Sequence, residues 1–335
     1  MPNKPLISVI VCHHVGDLLY DFIASVLKSR DVKIEVIIIT SDEALALRGI
    51  KGCRIIHSTD GPAKKRNIGY SVANGEYLAF FDDDMTVMRE TVKFLLEACD
   101  KRGIGMVYGK LYNMEHRKRL DEAGSYLTWS GFLWSRAEQN IEDVGQFVVP
   151  EYVLAGKSAS CIIRADVFRE VGGFDESFGI LGEETDLSWR VWLSGYKVVF
   201  EPSSIGYHAF NTKYKPPAKY YTSSRVQFNG CRNYITMLMK NLEARHLWIV
   251  PLHSTIWLIA GLAMIGTGRV RMGANIIRGL GYVIGNIGLI MKKRAIVQEM
   301  RKKSDRELFP YIMRSPRMGY YTERLGRYLK IGLHG

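Results

Sequence analysis

Residues 77–84 read Tyr-Leu-Ala-Phe-Phe-Asp-Asp-Asp, an apolar run that stops abruptly in three consecutive carboxylates. A run of that length, rich in aromatics and preceded by Asn74-Gly75, predicts a buried strand of a parallel sheet. Ligands of open α/β sheets gather outside the carboxyl ends of the strands. Three adjacent Asp repel one another, and a hard divalent cation bound by their oxygens would relieve that repulsion. Asp82 and Asp84 also form an Asp-x-Asp pair. Taken alone, the cluster reads more simply as a solvated acidic turn, so its surroundings must decide.

Toward the N-terminus, strand and helix signals alternate. Residues 6–12 form a β-branched run, followed by a helical pattern over 18–28 and further apolar strands at 34–39 and 53–56. Pro62 suits the first turn of a helix that continues through Ile68 and Val72 and stops at Asn74-Gly75. This βαβ rhythm predicts a Rossmann-like, doubly wound sheet with a nucleotide-binding edge. Toward the C-terminus, residues 104–160 are less regular. A strand ending at 161–164 leads into a short helix near 166–171, closed by Gly172-Gly173. A helix over 185–194 is closed by Gly195, and a strand at 196–200 precedes Pro202. A boundary at Pro216-Pro217 separates an α/β domain, 1–215, from a helical and basic region, 216–335.

A chain of 335 residues can hold one large domain, or one domain with an appendage. Its five cysteines are far apart, which argues against a zinc site or a disulfide framework and fits a reducing compartment. No signal peptide is expected, because the first apolar run has only seven residues and Lys4 and Pro5 precede it closely. The net charge is +12, and residues 292–330 carry twelve Lys or Arg against four Asp or Glu, two thirds of the excess. Such a tail suits nucleic acid or an anionic membrane. Residues 247–268 decide for the membrane: they hold no Asp, Glu, Lys or Arg, and as a helix would be roughly 33 Å long. A weaker apolar stretch follows at 280–291, after Arg269-Val270-Arg271. Basic residues beside Trp-containing apolar helices predict contact with the cytoplasmic face of a membrane. A buried helical subdomain is the other reading, and Pro251, His253 and the glycines are compatible with it.

Three further segments carry candidate chemistry. Gly61-Pro62-Ala63-Lys64-Lys65-Arg66-Asn67-Ile68-Gly69 places basic residues at a helix start, where they could meet a diphosphate; on their own they would be a solvated helix face. Gly182-Glu183-Glu184-Thr185-Asp186 opens a helix with acids, where the dipole favours the ionised form that a general base needs. Helix capping with an Asp186–Arg190 pair is the alternative. Ile205-Gly206-Tyr207-His208 follows a strand and offers an imidazole to complete a metal site.

In order along residues 6–210, these segments resemble glycosyltransferase family 2, whose members have the GT-A fold. The resemblance rests on the Ile7-Ser8-Val9-Ile10-Val11 strand, Arg66-Asn67-Ile68-Gly69, Gly75 through Asp84, Val171-Gly172-Gly173-Phe174-Asp175-Glu176 and Glu183 through Leu187, with Gly195-Tyr196 and His208 at fitting distances. The helical, basic C-terminal third is similar to the membrane-proximal extension of the rhamnosyltransferase-like branch. The resemblance implies that Asp84 holds Mg²⁺ or Mn²⁺ against the diphosphate of a nucleotide-sugar, with Asp82 and His208 as further ligands. It implies donor contacts from Asp82, Asp83 and Arg66, and makes Glu184 the catalytic base, with Glu183 and Asp186 as alternatives. At the end of the second strand the family usually has Asp-Asp or Asp-Asn, whereas this chain has Thr40-Ser41-Asp42. Ser41 and Asp42, with His13 at the end of the first strand, are the remaining donor-side candidates.

The expected activity is inverting sugar transfer to a hydroxyl of a lipid-linked or cell-surface glycan. A polyprenyl-phosphate sugar synthase of the same fold is the nearest alternative. A nucleotidyltransferase and a non-catalytic basic protein binding nucleic acid are more distant ones, and nucleic acid is not an expected partner.

Overall fold

The computed structural model describes residues 4–14, 16–137, 140–209, 223–316 and 319. In chain order the elements are β1 (Leu6–His13), α1 (Leu18–Val26), β2 (Lys33–Thr40), α2 (Glu43–Arg48), β3 (Cys53–His57), α3 (Pro62–Ser71), β4 (Tyr77–Asp82), β5 (Met85–Val87), α4 (Thr91–Cys99), β6 (Ile104–Asn113), β7 (Leu120–Glu122), β8 (Ser125–Leu127), β9 (Leu133–Ser135), β10 (Glu151–Tyr152) and β11 (Ser160–Arg164). There follow α5 (Ala165–Glu170), a 3₁₀ turn (Glu176–Phe178), α6 (Glu183–Leu193), β12 (Lys197–His208), α7 (Ser224–Asn241), α8 (Ile249–Gly266), α9 (Val270–Gly285), α10 (Ile287–Glu299) and α11 (Asp305–Ile312).

The main sheet runs β10-β12-β6-β11-β4-β1-β2-β3, and β5 and β7 pair beside it with β12 and β6. β1 is parallel to β2 and β4, and β3 is parallel to β2. β11 lies antiparallel between β4 and β6. The result is the doubly wound half read from the sequence, continued as a mixed sheet. β4 shows why its apolar run is unbroken, since both of its faces are covered. Phe80 packs against Phe168 and Phe174 on one side, and Phe81 against Phe22 on the other. The strand can become polar only where the layers end, at Asp82.

One expectation about local structure is corrected. The strand expected to stop before Pro202 continues to His208, so the Ile205–His208 segment belongs to the same element. Its pairing with β6 jumps from Glu201↔Gly109 to Ile205↔Lys110, which frees residues 202–204 from the ladder. A proline has no N–H to give, and a bulge is where a strand tolerates it. Residues 43–48 form a short helix that apolar periodicity did not announce.

The C-terminal helices pack onto the α/β core and not only beside it. Buried Ile249, His253, Trp257, Gly261 and Met264 form one stripe of α8, where His253 meets the Ser130 carbonyl at 2.8 Å and accepts from the Trp257 indole at 2.9 Å. Among the described residues one helical run, Ala244–Gly266, is long and apolar enough to cross a membrane, with mean hydropathy 1.7. α9 and α10 pass the same test only together, and they are bent by 68° at Asn286. The expected boundary at Pro216-Pro217 and most of the basic tail beyond residue 316 lie outside the described residues.

Gly75 sets the start of β4. A Cβ there would stand 2.6 Å from the Ser8 nitrogen and 2.8 Å from the Leu6 oxygen, both backbone atoms of the neighbouring strand that cannot swing aside. Gly75→Ala is therefore expected to lower unfolding free energy by about 1–3 kcal/mol. Gly281→Ala, at an open position within α9, should be neutral or stabilising. Denaturant titrations of both variants check the contrast.

Candidate active site

The parallel register Cys12↔Asp82 brings the ends of β1 and β4 level. His13 Nδ1 and Asp83 Oδ2 consequently lie 2.5 Å apart. Beyond the turn, β5 pairs antiparallel with β12 in the register His208↔Met85, and Ala209 N–H donates to the Asp84 carbonyl at 2.9 Å. That pairing carries the His208 imidazole to the Asp cluster: Nε2 is 3.3 Å from Asp84 and 3.7 Å from Asp82. Ligand atoms of Asp82, Asp84 and His208 all lie within 4.8 Å of one another.

The other imidazole nitrogen, Nδ1, is 2.7 Å from Asp121, which also receives Lys157 Nζ at 2.6 Å. Burial alone would lower the pKa of His208, but the carboxylates of Asp84 and Asp121 outweigh it and hold it at about 10. An imidazolium thus supplies positive charge among these acids. Two carboxylates and an imidazole oriented by its own carboxylate also make a donor set suited to Mg²⁺ or Mn²⁺. The residues fit such an ion.

A second carboxylate group reaches the same cleft from α6. Its cap, Gly182, is left-handed (φ +81°), and the helix begins at Glu183, two residues earlier than the pattern indicated. Buried Arg66 joins the two groups: Nη1 donates to Glu183 at 3.0 Å and Nη2 to Asp82 at 3.3 Å. Its guanidinium lies 5.4 Å from the Phe174 ring centre. Glu184, the next residue, keeps a partly exposed side chain. Burial, then the negative charge of Glu183, push its carboxyl well above the usual range. The expectation that the helix dipole would keep it readily ionised is therefore corrected, because desolvation and a like charge outweigh the dipole here.

Asp186 is placed differently. It is fully buried, bound by Arg190 at 2.9 Å, Lys240 at 3.1 Å and Asn241 at 3.0 Å. Burial raises its pKa, but Lys240 and Arg190 outweigh that and hold it below the usual range. It ties α6 to α7, with none of its surface exposed. Of the three candidate bases, geometry leaves Glu184 with access, Glu183 committed to Arg66 and Asp186 in the core.

The other predicted residues divide similarly. Asp42 caps α2, accepting from Leu45 N–H at 3.1 Å, and Ser41 Oγ lies 2.6 Å from His14 Nδ1 on the exposed rim. Lys64 pairs with Asp60 on the surface, and Lys65 donates to the His13 carbonyl at 2.7 Å. Only Arg66 of that basic run reaches the carboxylates. Asn67 exchanges two hydrogen bonds with the Phe174 backbone, at 2.9 and 3.0 Å, which pins the segment leading to α6. Asp121 and Lys157 were not anticipated: both fall in the irregular 104–160 stretch, and Asp121 meets His208 from 87 residues away.

With this geometry in view, similarity to known proteins is informative. Residues 8–160 match the model of Glycosyl transferase family 2. A pre-mycofactocin glycosyltransferase of Mycobacterium tuberculosis is 29% identical over 154 residues, covering 46% of this chain and 31% of the relative. This chain therefore spans about a third of that relative's length. Among solved structures, GalNAc-T7 with UDP, GalNAc and Mn²⁺ aligns with a TM-score of 0.57 at 19% identity, over 73% of this chain and 49% of that one. The mannosyltransferase PcManGT of Pyrobaculum calidifontis, in complex with GDP-Man and Mn²⁺, aligns with a TM-score of 0.52 at 12% identity, over 89% and 86%. At such identities the structures speak for the fold. Residues 8–160, a little under half of the chain, thus match glycosyl transferase family 2, and the fold is GT-A.

Proposed function

We propose that this cleft transfers a sugar, with inversion, from a nucleotide-diphosphate sugar to a hydroxyl of a glycan acceptor. The observation that carries this reading is the Arg66 bridge, which brings a cation-binding acid, Asp82, and the acids of α6 to opposite ends of one guanidinium. Asp84, Asp82 and His208 would hold Mg²⁺ or Mn²⁺, which when bound offsets negative charge on a leaving diphosphate. Asp83, with His13 beside it, and Arg66 face the donor side; Ser41 lies farther out on the rim. Glu184 accepts the proton of the acceptor hydroxyl. The hydroxyl oxygen forms the new bond to the anomeric carbon as the bond to the diphosphate breaks, and the diphosphate leaves with its electron pair. One displacement inverts the centre and needs no enzyme nucleophile.

The acceptor's setting is inferred from the C-terminal helices. The face of α8 opposite its buried stripe exposes Ile259 by 61% and Leu262 by 56%, and Ile284 near the α9–α10 bend is 73% exposed. Arg245, Arg269 and Arg271 flank this surface in the sequence. An apolar face beside cations supports attachment to the cytoplasmic surface of a membrane, and hence a lipid-linked or cell-surface acceptor.

Two variants separate the roles. Asp84→Ala or excess EDTA should abolish cation-dependent donor binding. Glu184→Gln should leave donor affinity nearly unchanged while lowering turnover about 10²–10⁴-fold. In the unaltered enzyme, kcat/KM should fall as pH drops through the raised Glu184 pKa, above the ordinary glutamate value of about 4.3. Glu184→Gln should remove that limb. Transfer that survives Glu184→Gln would favour a phosphate acceptor such as polyprenyl phosphate, and full turnover in EDTA would refute the cation's role.

Attachment to membranes is tested by extraction. High salt should loosen the protein from anionic vesicles without releasing it, and detergent should complete release, because apolar burial is not screened by salt. A detergent-free, monodisperse protein indifferent to anionic vesicles would contradict the membrane reading.

A further inference from the structure

Glu184 depends on an unusual turn. Leu181 (φ +75°) and Gly182 (φ +81°) are both left-handed, immediately before α6 begins. For leucine that conformation is strained and persists only where the surroundings over-determine it. That support comes from side chains of α7. Buried Asn233 turns its amide nitrogen on three carbonyls of the strap 175–182 that leads into α6, Phe178 at 3.0 Å, Ile180 at 3.0 Å and Leu181 at 2.7 Å. Its amide oxygen accepts from Arg232 Nε at 2.8 Å, and Arg232 Nη2 donates to the Ser177 and Phe178 carbonyls at 2.9 Å each. Two turns farther along the same helix, Lys240 binds Asp175 at 2.6 Å, at the front of the strap.

We propose that Asn233, braced by Arg232, is a positioning residue that fixes the Leu181-Gly182 turn and so aims Glu184 into the cleft. It lies beyond residues 8–160, in the helical region read from sequence as an appendage. The proposal rests on Glu184 being the base. Asn233 touches no reacting atom; it holds the backbone that carries one. Removing its amide takes the Asn233 donor from the Ile180 and Leu181 carbonyls and lets the left-handed pair relax, which displaces the first turn of α6. Displacement by about 1 Å can cost on the order of 10²-fold in rate.

The test is a double-mutant cycle of Asn233→Ala and Glu184→Gln, read by transfer rate, nucleoside-diphosphate affinity with Mn²⁺, and melting temperature. Asn233→Ala alone should slow transfer roughly 10–100-fold while donor affinity stays within about twofold. Combined with Glu184→Gln it should add almost nothing, because the base it positions is already gone. Arg232→Gln, a milder change on a partly exposed residue, should shift the rate in the same direction and covers the case in which Asn233→Ala does not fold. A folded Asn233→Ala that transfers at the unaltered rate would overturn the proposal. So would one that loses donor affinity and transfer in parallel, or full additivity with Glu184→Gln. If Glu184→Gln alone is fully active, the base assignment fails first, and the cycle reports that separately.

Discussion

Arg66 lies buried between Asp82 and Glu183, and taking its charge out of water would cost several kcal/mol if either acid were missing. That constraint couples two parts of the chain 101 residues apart, the end of β4 and the start of α6. The guanidinium offsets the charge of both acids where they approach each other. The guanidinium suits this place because its planar fork reaches two carboxylates at once and cannot be deprotonated. The cleft forms where the strand's apolar cover ends, and Arg66 determines which acids meet there.

Around that bridge the charges are sorted by depth. Asp186 is neutralised in the core by Lys240 and Arg190 and serves to anchor α7. Glu183 is neutralised by Arg66. Glu184 is pushed toward its protonated form by burial and by the charge of Glu183, which outweigh Arg66. At the other end, His208 carries a proton because Asp84 and Asp121 demand one. A cation entering among Asp82, Asp84 and His208 would take over that compensating charge. Its partner Asp121 is already held by Lys157, so the imidazole would keep its orientation.

Much of the fold was legible because its signals are local. The unbroken apolar runs of β1, β2 and β4 follow from burial on both faces, and Pro62 at a helix start and the change to Asp at residue 82 are read from neighbours in sequence. Arg66, Asp84, Glu184 and His208 were legible as a set, through order and resemblance. What stayed hidden depends on distant pairing. No local pattern joins Asp121 to His208, or Asn233 to a strap 52 residues before it. The bulge at Pro202 was read as a strand end because proline usually marks one, and only the partner strand reveals the skipped ladder. Asp42 is a donor-side candidate by its place at the end of the second strand, and in the structure its carboxylate caps a helix.

The central claim is that the β4 end, β5 turn and β12 end assemble one cation site within reach of the α6 acids. Anomalous diffraction from crystals grown with Mn²⁺ and a nucleoside diphosphate tests it most directly. The account predicts one strong manganese peak bounded by Asp82, Asp84 and His208, with the diphosphate against it and Glu184 across the cleft. A second group of possible ligands, Glu243, His246 and Asp305, is already engaged by Arg245 and Arg301 and should remain without a peak. Manganese at that second group, or none at the strand ends with the nucleotide bound, would contradict the account.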